Sequence, residues 1–236
     1  SAADIATSAD GAYSVFAADM DNDGDMDIVS ASVNDDAIAW YENDGAADPS
    51  WAAADIATSA DGTRSVFVAD MDSDGDMDIV SASSDDNTIA WYENDGATNP
   101  SWAASDISTS ADFATSVFVA DMDSDGDMDI VSASANDDAV SIYINNGASD
   151  PSWSVSDIST DANGARGVFI ADIDNDGDLD IISASENDDK IAWYQNSAGR
   201  NAPQITSVTS SQDNGSYGVG TEIPIFVNYS DQVLVT

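Results

Sequence analysis

Residues 19–27 read DMDNDGDMD: five aspartates alternating through nine residues around one glycine. The pattern returns as DMDSDGDMD at 70–78 and again at 121–129, and as DIDNDGDLD at 172–180. Each copy lies 51 residues after the last, so the chain reads first as a tandem repeat. Four stretches of strand character accompany each copy. In the first unit these are SVFAAD (14–19), DIVSAS (27–32) and AIAWYE (37–42), followed by AADIAT at 53–58. Each is short, rich in β-branched and aromatic residues, and bounded by Asp, Asn, Gly or Pro. No segment carries helical periodicity over a helix-length window. Four short antiparallel strands per unit predict an all-β fold, a β-propeller of four four-stranded blades. A solenoid of hairpins is the competing arrangement.

The two ends of the repeat complement each other. The chain opens with AADIAT (2–7), which aligns with the fourth strand of a unit. The last unit runs GVFIAD, DIISAS and KIAWYQ, then NSAGRNAP, with no fourth strand. Two closures are expected. In a four-bladed ring, residues 2–7 pair beside KIAWYQ (190–195); in an eight-bladed ring, two chains exchange that strand and form a homodimer. Ala18, Ala69, Ala120 and Ala171 keep one register of the innermost strands small in every unit, which permits a tight ring. Starting inside the pattern also suits a cut from a longer array, so the lack of a signal peptide carries little weight. Residues 1–200 form the repeat domain, and residues 201–236 lose the repeat. That tail reads as several short strands of a truncated immunoglobulin-like β segment, too short to bury a core alone. Its QITSVT (204–209) is another candidate for the vacant edge.

In D-x-D-x-D-G-x-x-D, a loop curling on itself brings its first, third and fifth side chains to one point. Glycine at the sixth position permits the turn, the seventh residue offers its carbonyl, and the ninth another carboxylate. The predicted ligands are therefore Asp19, Asp21, Asp23, Asp25 (by its carbonyl) and Asp27. The second loop repeats them as Asp70, Asp72, Asp74, Asp76 and Asp78, and the third as Asp121, Asp123, Asp125, Asp127 and Asp129. The fourth supplies Asp172, Asp174, Asp176, Asp178 and Asp180. All-oxygen, highly charged sites on flexible backbone suit Ca²⁺ better than Mg²⁺, which demands a tight octahedron. About four Ca²⁺ are expected, one per repeat. An EF-hand does not fit, because its twelfth-position glutamate is replaced by Ser30 in a strand. Every methionine lies at the second or eighth position of a loop, where inward packing would anchor it.

Charge narrows the partners. There are 46 acidic residues against four basic ones, a net charge of −42, which opposes nucleic acid and anionic membrane surfaces. Hydrophobic residues make up 42%, too many for a disordered acidic tail, so the charge decorates something folded. Cysteine and histidine are both absent. That removes disulfides, thiolate zinc sites and the usual general base, and no nucleophile–base pair can be assembled. An enzyme is not expected. No apolar run is long enough to insert in a membrane.

Strand parity places the aspartate loops at one end of each blade. The opposite end carries VNDDA, SSDDNT, ANDDA and ENDDK with ADGAY, ADGTR, ADFAT and ANGAR. Tyr13, Arg64, Thr115 and Arg166 share one register there, and Lys190 ends a neighbouring loop. Tolerated surface variation is the plain reading of that register, and a polar binding site the sharper one. Trp40, Trp91 and Trp193 on the third strands, and Trp51, Trp102 and Trp153 before the fourth, keep strict repeat spacing. That spacing points to packing between blades rather than to sugar platforms.

The unit resembles the FG-GAP/VCBS repeat of integrin-α-like propellers, in its DGDxDIVSAS…DDxIAWYEN form. The resemblance covers residues 1–196 and implies one Ca²⁺ in each loop between first and second strands. It also implies an extracellular or cell-surface protein acting in adhesion or scaffolding, its ligand an unidentified protein or glycan. A calcium-dependent carbohydrate-binding propeller is the alternative. The family closes with six to eight blades, so four is a departure. The tail resembles bacterial Ig-like repeats.

Overall fold

The computed structural model describes residues 4–196, and the backbone of two further strands at 205–210 and 225–229. It is all-β. Sheet I comprises β1 (Ala12–Ala18), β2 (Asp27–Ser32), β3 (Ala37–Asn43) and β4 (Trp51–Ala57). Sheet II comprises β5 (Thr63–Ala69), β6 (Asp78–Ser83), β7 (Thr88–Asn94) and β8 (Trp102–Ser108). Sheet III follows with β9 (Ala114–Ala120), β10 (Asp129–Ser134), β11 (Ala139–Asn145) and β12 (Trp153–Ser159). Sheet IV has three strands, β13 (Ala165–Ala171), β14 (Asp180–Ser185) and β15 (Lys190–Tyr194). Every sheet is an antiparallel meander in sequence order. Within the repeats after AADIAT (2–7), the expected strands sit within two residues of the observed ones.

The core lies between the sheets. Successive side chains of a strand point to opposite faces, so a strand sandwiched between two neighbours must be apolar on both. The DIVSAS strands β6 and β10 are buried along their whole length. In β6, Ile79 packs towards sheet I while Val80 and Ala82 pack towards sheet III. The I–II junction unites Ile38, Trp40 and Val29 with Val66, Val68, Ile79 and Tyr92. The II–III junction repeats it with Ile89 and Trp91 against Val117, Val119 and Tyr143. Each such side chain contributes about 1.5–3 kcal/mol by its burial. At one edge Phe16, Phe67, Phe118 and Phe169 form a ladder with centroids 4.8, 4.8 and 5.1 Å apart. Trp40 and Trp91 are therefore buried packing residues, as their spacing indicates.

The row of sheets has two open ends. Ile191 is 77% exposed, although Ile38, Ile89 and Val140 at its register are fully buried. Val15 is 70% exposed against 4% for Val66 and Val117. The four-bladed closure within one chain is thus not formed. Residues 4–8 are described and adopt no strand; residues 2 and 3 lie outside the described residues. The edge of β15 carries no fourth strand among the described residues. In the tail, β16 (Ile205–Ser210) pairs with β17 (Ile225–Tyr229) in a separate two-stranded sheet, not with β15. The rest of the expected Ig-like segment lies outside the described residues.

Candidate metal centres

Each aspartate loop links the first strand of its sheet to the second, and its backbone makes the turn with two left-handed residues. Gly24 sits at φ 96°, and Asn22, two residues earlier, at φ 59°; the other loops repeat both positions. The glycine follows from the sequence pattern. The second left-handed position, held by Asn22, Ser73, Ser124 and Asn175, does not.

Three carboxylates converge in every loop: Asp19, Asp21 and Asp27; Asp70, Asp72 and Asp78; Asp121, Asp123 and Asp129; Asp172, Asp174 and Asp180. In each triad one oxygen per residue lies within 4.8 Å of the others. These are the first, third and ninth positions. In the first three loops the first-position carboxylate accepts hydrogen bonds from the N–H groups at positions five and six, as Asp19 does from Asp23 and Gly24. The ninth is buried and fixed by two backbone donors. Asp78 takes the Met71 N–H at 3.0 Å on one oxygen and the Asn94 N–H at 2.8 Å on the other.

The remaining predicted ligands are placed differently. The fifth-position carboxylates Asp23, Asp74, Asp125 and Asp176 stand outside the triads and accept the N–H of position seven. The seventh-position side chains of Asp25, Asp76 and Asp127 turn to Gly45, Gly96 and Gly147 in the loops between third and fourth strands. These contacts put the two sets of loops at one end of the sheets. The fourth repeat instead leaves Asp178 buried with an unpartnered oxygen, and Asp172 likewise.

Gly96 explains the ENDG sequence. At φ 66° a side chain is strained, and a Cβ would stand 2.1 Å from Asp76 Oδ2. Gly75, at φ 99°, has open space instead. Gly75→Ala should therefore cost about 1–2 kcal/mol of backbone strain, and Gly96→Ala measurably more in urea unfolding. Equal losses would show that the Asp76 contact is unimportant.

Electrostatics set the demand for a cation. Two unit charges 4.8 Å apart repel by about 1 kcal/mol in water and about 3–4 at an effective dielectric of 20. Burial, then the neighbouring fifth-position carboxylate, raises the pKa of Asp21, Asp72 and Asp123. Burial pushes Asp78 up to about 7 and Asp129 to about 6. A carboxyl raised on folding binds more protons in the folded state, so its contribution is present at low pH and lost as pH rises. The chelated protein should thus lose thermal stability between the ordinary value of 3.8 and about 7. With a divalent cation in excess the slope should reverse, because cation and proton compete for the same oxygens. Thermal melts across that range, with and without chelator, check both signs; parallel profiles would contradict the competition.

One supporting residue escapes the aspartate pattern. Asn94 is buried, and its Nδ2 donates to the Met20 and Met77 carbonyls of two adjacent loops, at 2.9 and 3.1 Å. Asn145 and Asn196 repeat the bridge to Met71 and Met122. The signal was present: Asn43, Asn94, Asn145 and Asn196 also recur every 51 residues. The methionines divide by position. Met20, Met71 and Met122 are buried towards the next sheet, and Met77 and Met128 pack against the previous one. At the ends, Met26 is 54% exposed and Ile173 43%, each lacking the sheet it would face.

The opposite end of the sheets holds Arg64, Arg166 and Lys190. Tyr13, Arg64, Thr115 and Arg166 all occupy a β-bulge, which re-aims their side chains. The Arg64 guanidinium lies 5.3 Å from the Tyr13 ring centre and 4.7 Å from that of Phe113. Arg166 lies 5.6 Å from the Phe113 ring centre and pairs with Glu186 at 2.6 Å. Tyr13, Arg64, Phe113 and Arg166 thus form a run of cation–aromatic contacts across the sheets.

The model of the FG-GAP-like repeat matches residues 19–81, 70–132 and 125–183, more than half of the chain. No curated protein matches it.

Proposed function

From a chain that belongs to the FG-GAP-like repeat family, we propose a calcium-binding β-propeller module, extracellular or on a cell surface, that serves adhesion or scaffolding rather than catalysis. The observation that carries the reading is the fourfold recurrence of one triad, with its ninth-position carboxylate buried and held by two N–H groups. Such a carboxylate is held in place, and among the described residues no basic side chain pairs with its acceptor-only neighbours. A hard divalent cation fits this donor set. The unpartnered buried oxygen of Asp172, a member of the fourth triad, supports the fit. Asp19, Asp21 and Asp27 would hold the first ion and their repeat equivalents the others, with the seventh-position carbonyl in reach of the loop.

The role is structural. Each loop ties two strands of its own sheet, and the Asn94, Asn145 and Asn196 amides tie neighbouring loops. An ion fixing one loop thereby fixes the junction beside it. Burial of Trp40 and Trp91 leaves no tryptophan platform on those strands, which weighs against the carbohydrate reading. No helix among the described residues is long and apolar enough to cross a membrane. Titration calorimetry tests the proposal. About four Ca²⁺ per chain should bind, and more tightly than Mg²⁺; equal or tighter Mg²⁺ binding, or none of either, would refute it.

A further inference from the structure

The two open ends of the sheet row are the two halves of a junction that the chain already builds three times. Sheet IV presents Ile191, Trp193 and Ile173, whose equivalents in sheet I, Ile38, Trp40 and Met20, are buried in the I–II core. Sheet I presents a groove of about 560 Å³ lined by Ala9, Val15, Ala17, Ile28 and Tyr41. The sheet II equivalents of those five, Ala60, Val66, Val68, Ile79 and Tyr92, are the residues that bury Ile38 and Trp40.

We propose that the sheet IV end binds the sheet I end of a second copy of this chain, head to tail, repeating the internal junction.

Polar groups at the two ends match in the same way. Between sheets, each turn residue Asp36, Asn87 and Asp138 accepts an N–H of the next loop on its side chain, from Gly62, Phe113 and Gly164. Asp189 and Gly11 hold the two halves of a fourth such bond. The Asn43 amide donates only to Met26 in its own loop, where Asn94 also reaches Met20 of the sheet before; the Ile173 carbonyl stands at the matching place on sheet IV. The cation–aromatic stack runs Tyr13, Arg64, Phe113, Arg166. A second copy would set its Tyr13, 61% exposed, on the open side of Arg166. Docking would also bring residues 4–7 of the second copy, DIAT, to β15. The identical DIAT at 55–58 begins inside β4, beside β3.

Topology favours this occupant. The tail strand β16 is paired with β17 rather than with β15. One contact is lost. Ser14, Ser65 and Ser116 accept the N–H of Val66, Val117 and Val168, and sheet IV offers Gly167 at that register.

Light scattering over a range of concentrations, with calcium present, tests the docking independently of the metal reading. The wild-type mass should exceed the 24.4 kDa of one chain. Ile191→Asp and Val15→Asp, both at exposed positions, should each give monomers with unchanged circular dichroism. Mixed in equal amounts they keep one intact junction, so the mixture should reach twice the monomer mass and stop there. Should either variant misfold, Trp193→Ser and Tyr13→Ala replace the pair. Wild type that stays monomeric, which would leave the ends to the tail or to another partner, overturns the proposal. So do variants that retain the wild-type mass, or a mixture that stays monomeric.

Discussion

Removing calcium should lower the melting temperature of this protein by tens of degrees. At a free concentration near 100 times Kd, a site contributes about 2.7 kcal/mol by mass action. Four triads together then contribute on the order of 11 kcal/mol. A domain of this size shifts by about 2–4 °C for each kcal/mol, which gives roughly 20–40 °C. The penalty is structural as well as thermodynamic. Without the ion each loop holds carboxylates within 4.8 Å of one another, and the same loops support the bridges from Asn94, Asn145 and Asn196. Differential scanning calorimetry with calcium and with a chelator measures the effect. An unchanged melting temperature would mean that the triads do not bind the ion, or that the sheets do not depend on it.

Asp78→Ala is expected to be the most damaging single substitution in a loop. It strips the acceptor from the Met71 and Asn94 N–H groups in a buried setting. Two unsatisfied donors at about 1–3 kcal/mol each make a loss of about 2–6 kcal/mol before any effect on the ion. Asp78→Asn keeps the shape and one acceptor and should cost about half as much. Both should remove one Ca²⁺ of four, because repeat units couple mainly through their immediate neighbours. Urea unfolding and calcium titration of the two variants check these outcomes. Loss of all four sites from one substitution would instead make the array a single cooperative unit.

The sequence carried most of this fold because the repeat states each rule four times. Short β-branched and aromatic runs, the 51-residue interval and the glycine of each loop marked strands, units and turns. The aspartate pattern marked the candidate metal centres too, but not the division of labour within them. The fifth-position carboxylates are spent on capping the turn, as Asp23 does for the Asp25 N–H. The seventh-position side chains are spent on a neighbouring loop, because the turn leaves Asp25 facing Gly45. Such choices depend on where a loop meets its neighbour, which spacing along the chain does not encode. Closure failed to follow for the same reason. Pairing residues 2–7 with KIAWYQ satisfies the strand count, yet Val15 and Ile191 stand exposed at opposite ends of the row. The arginines were legible only as variation, since the bulges at Tyr13, Arg64 and Arg166 that turn them into a stack leave no mark in the composition.

The central claim is that the first, third and ninth aspartates of each loop hold Ca²⁺. An anomalous difference map from crystals grown with calcium tests it atom by atom. Four peaks are expected per chain, each about 2.3–2.6 Å from oxygens of one triad such as Asp70, Asp72 and Asp78. Peaks elsewhere, or ordered triads with no peak at saturating calcium, would contradict the claim.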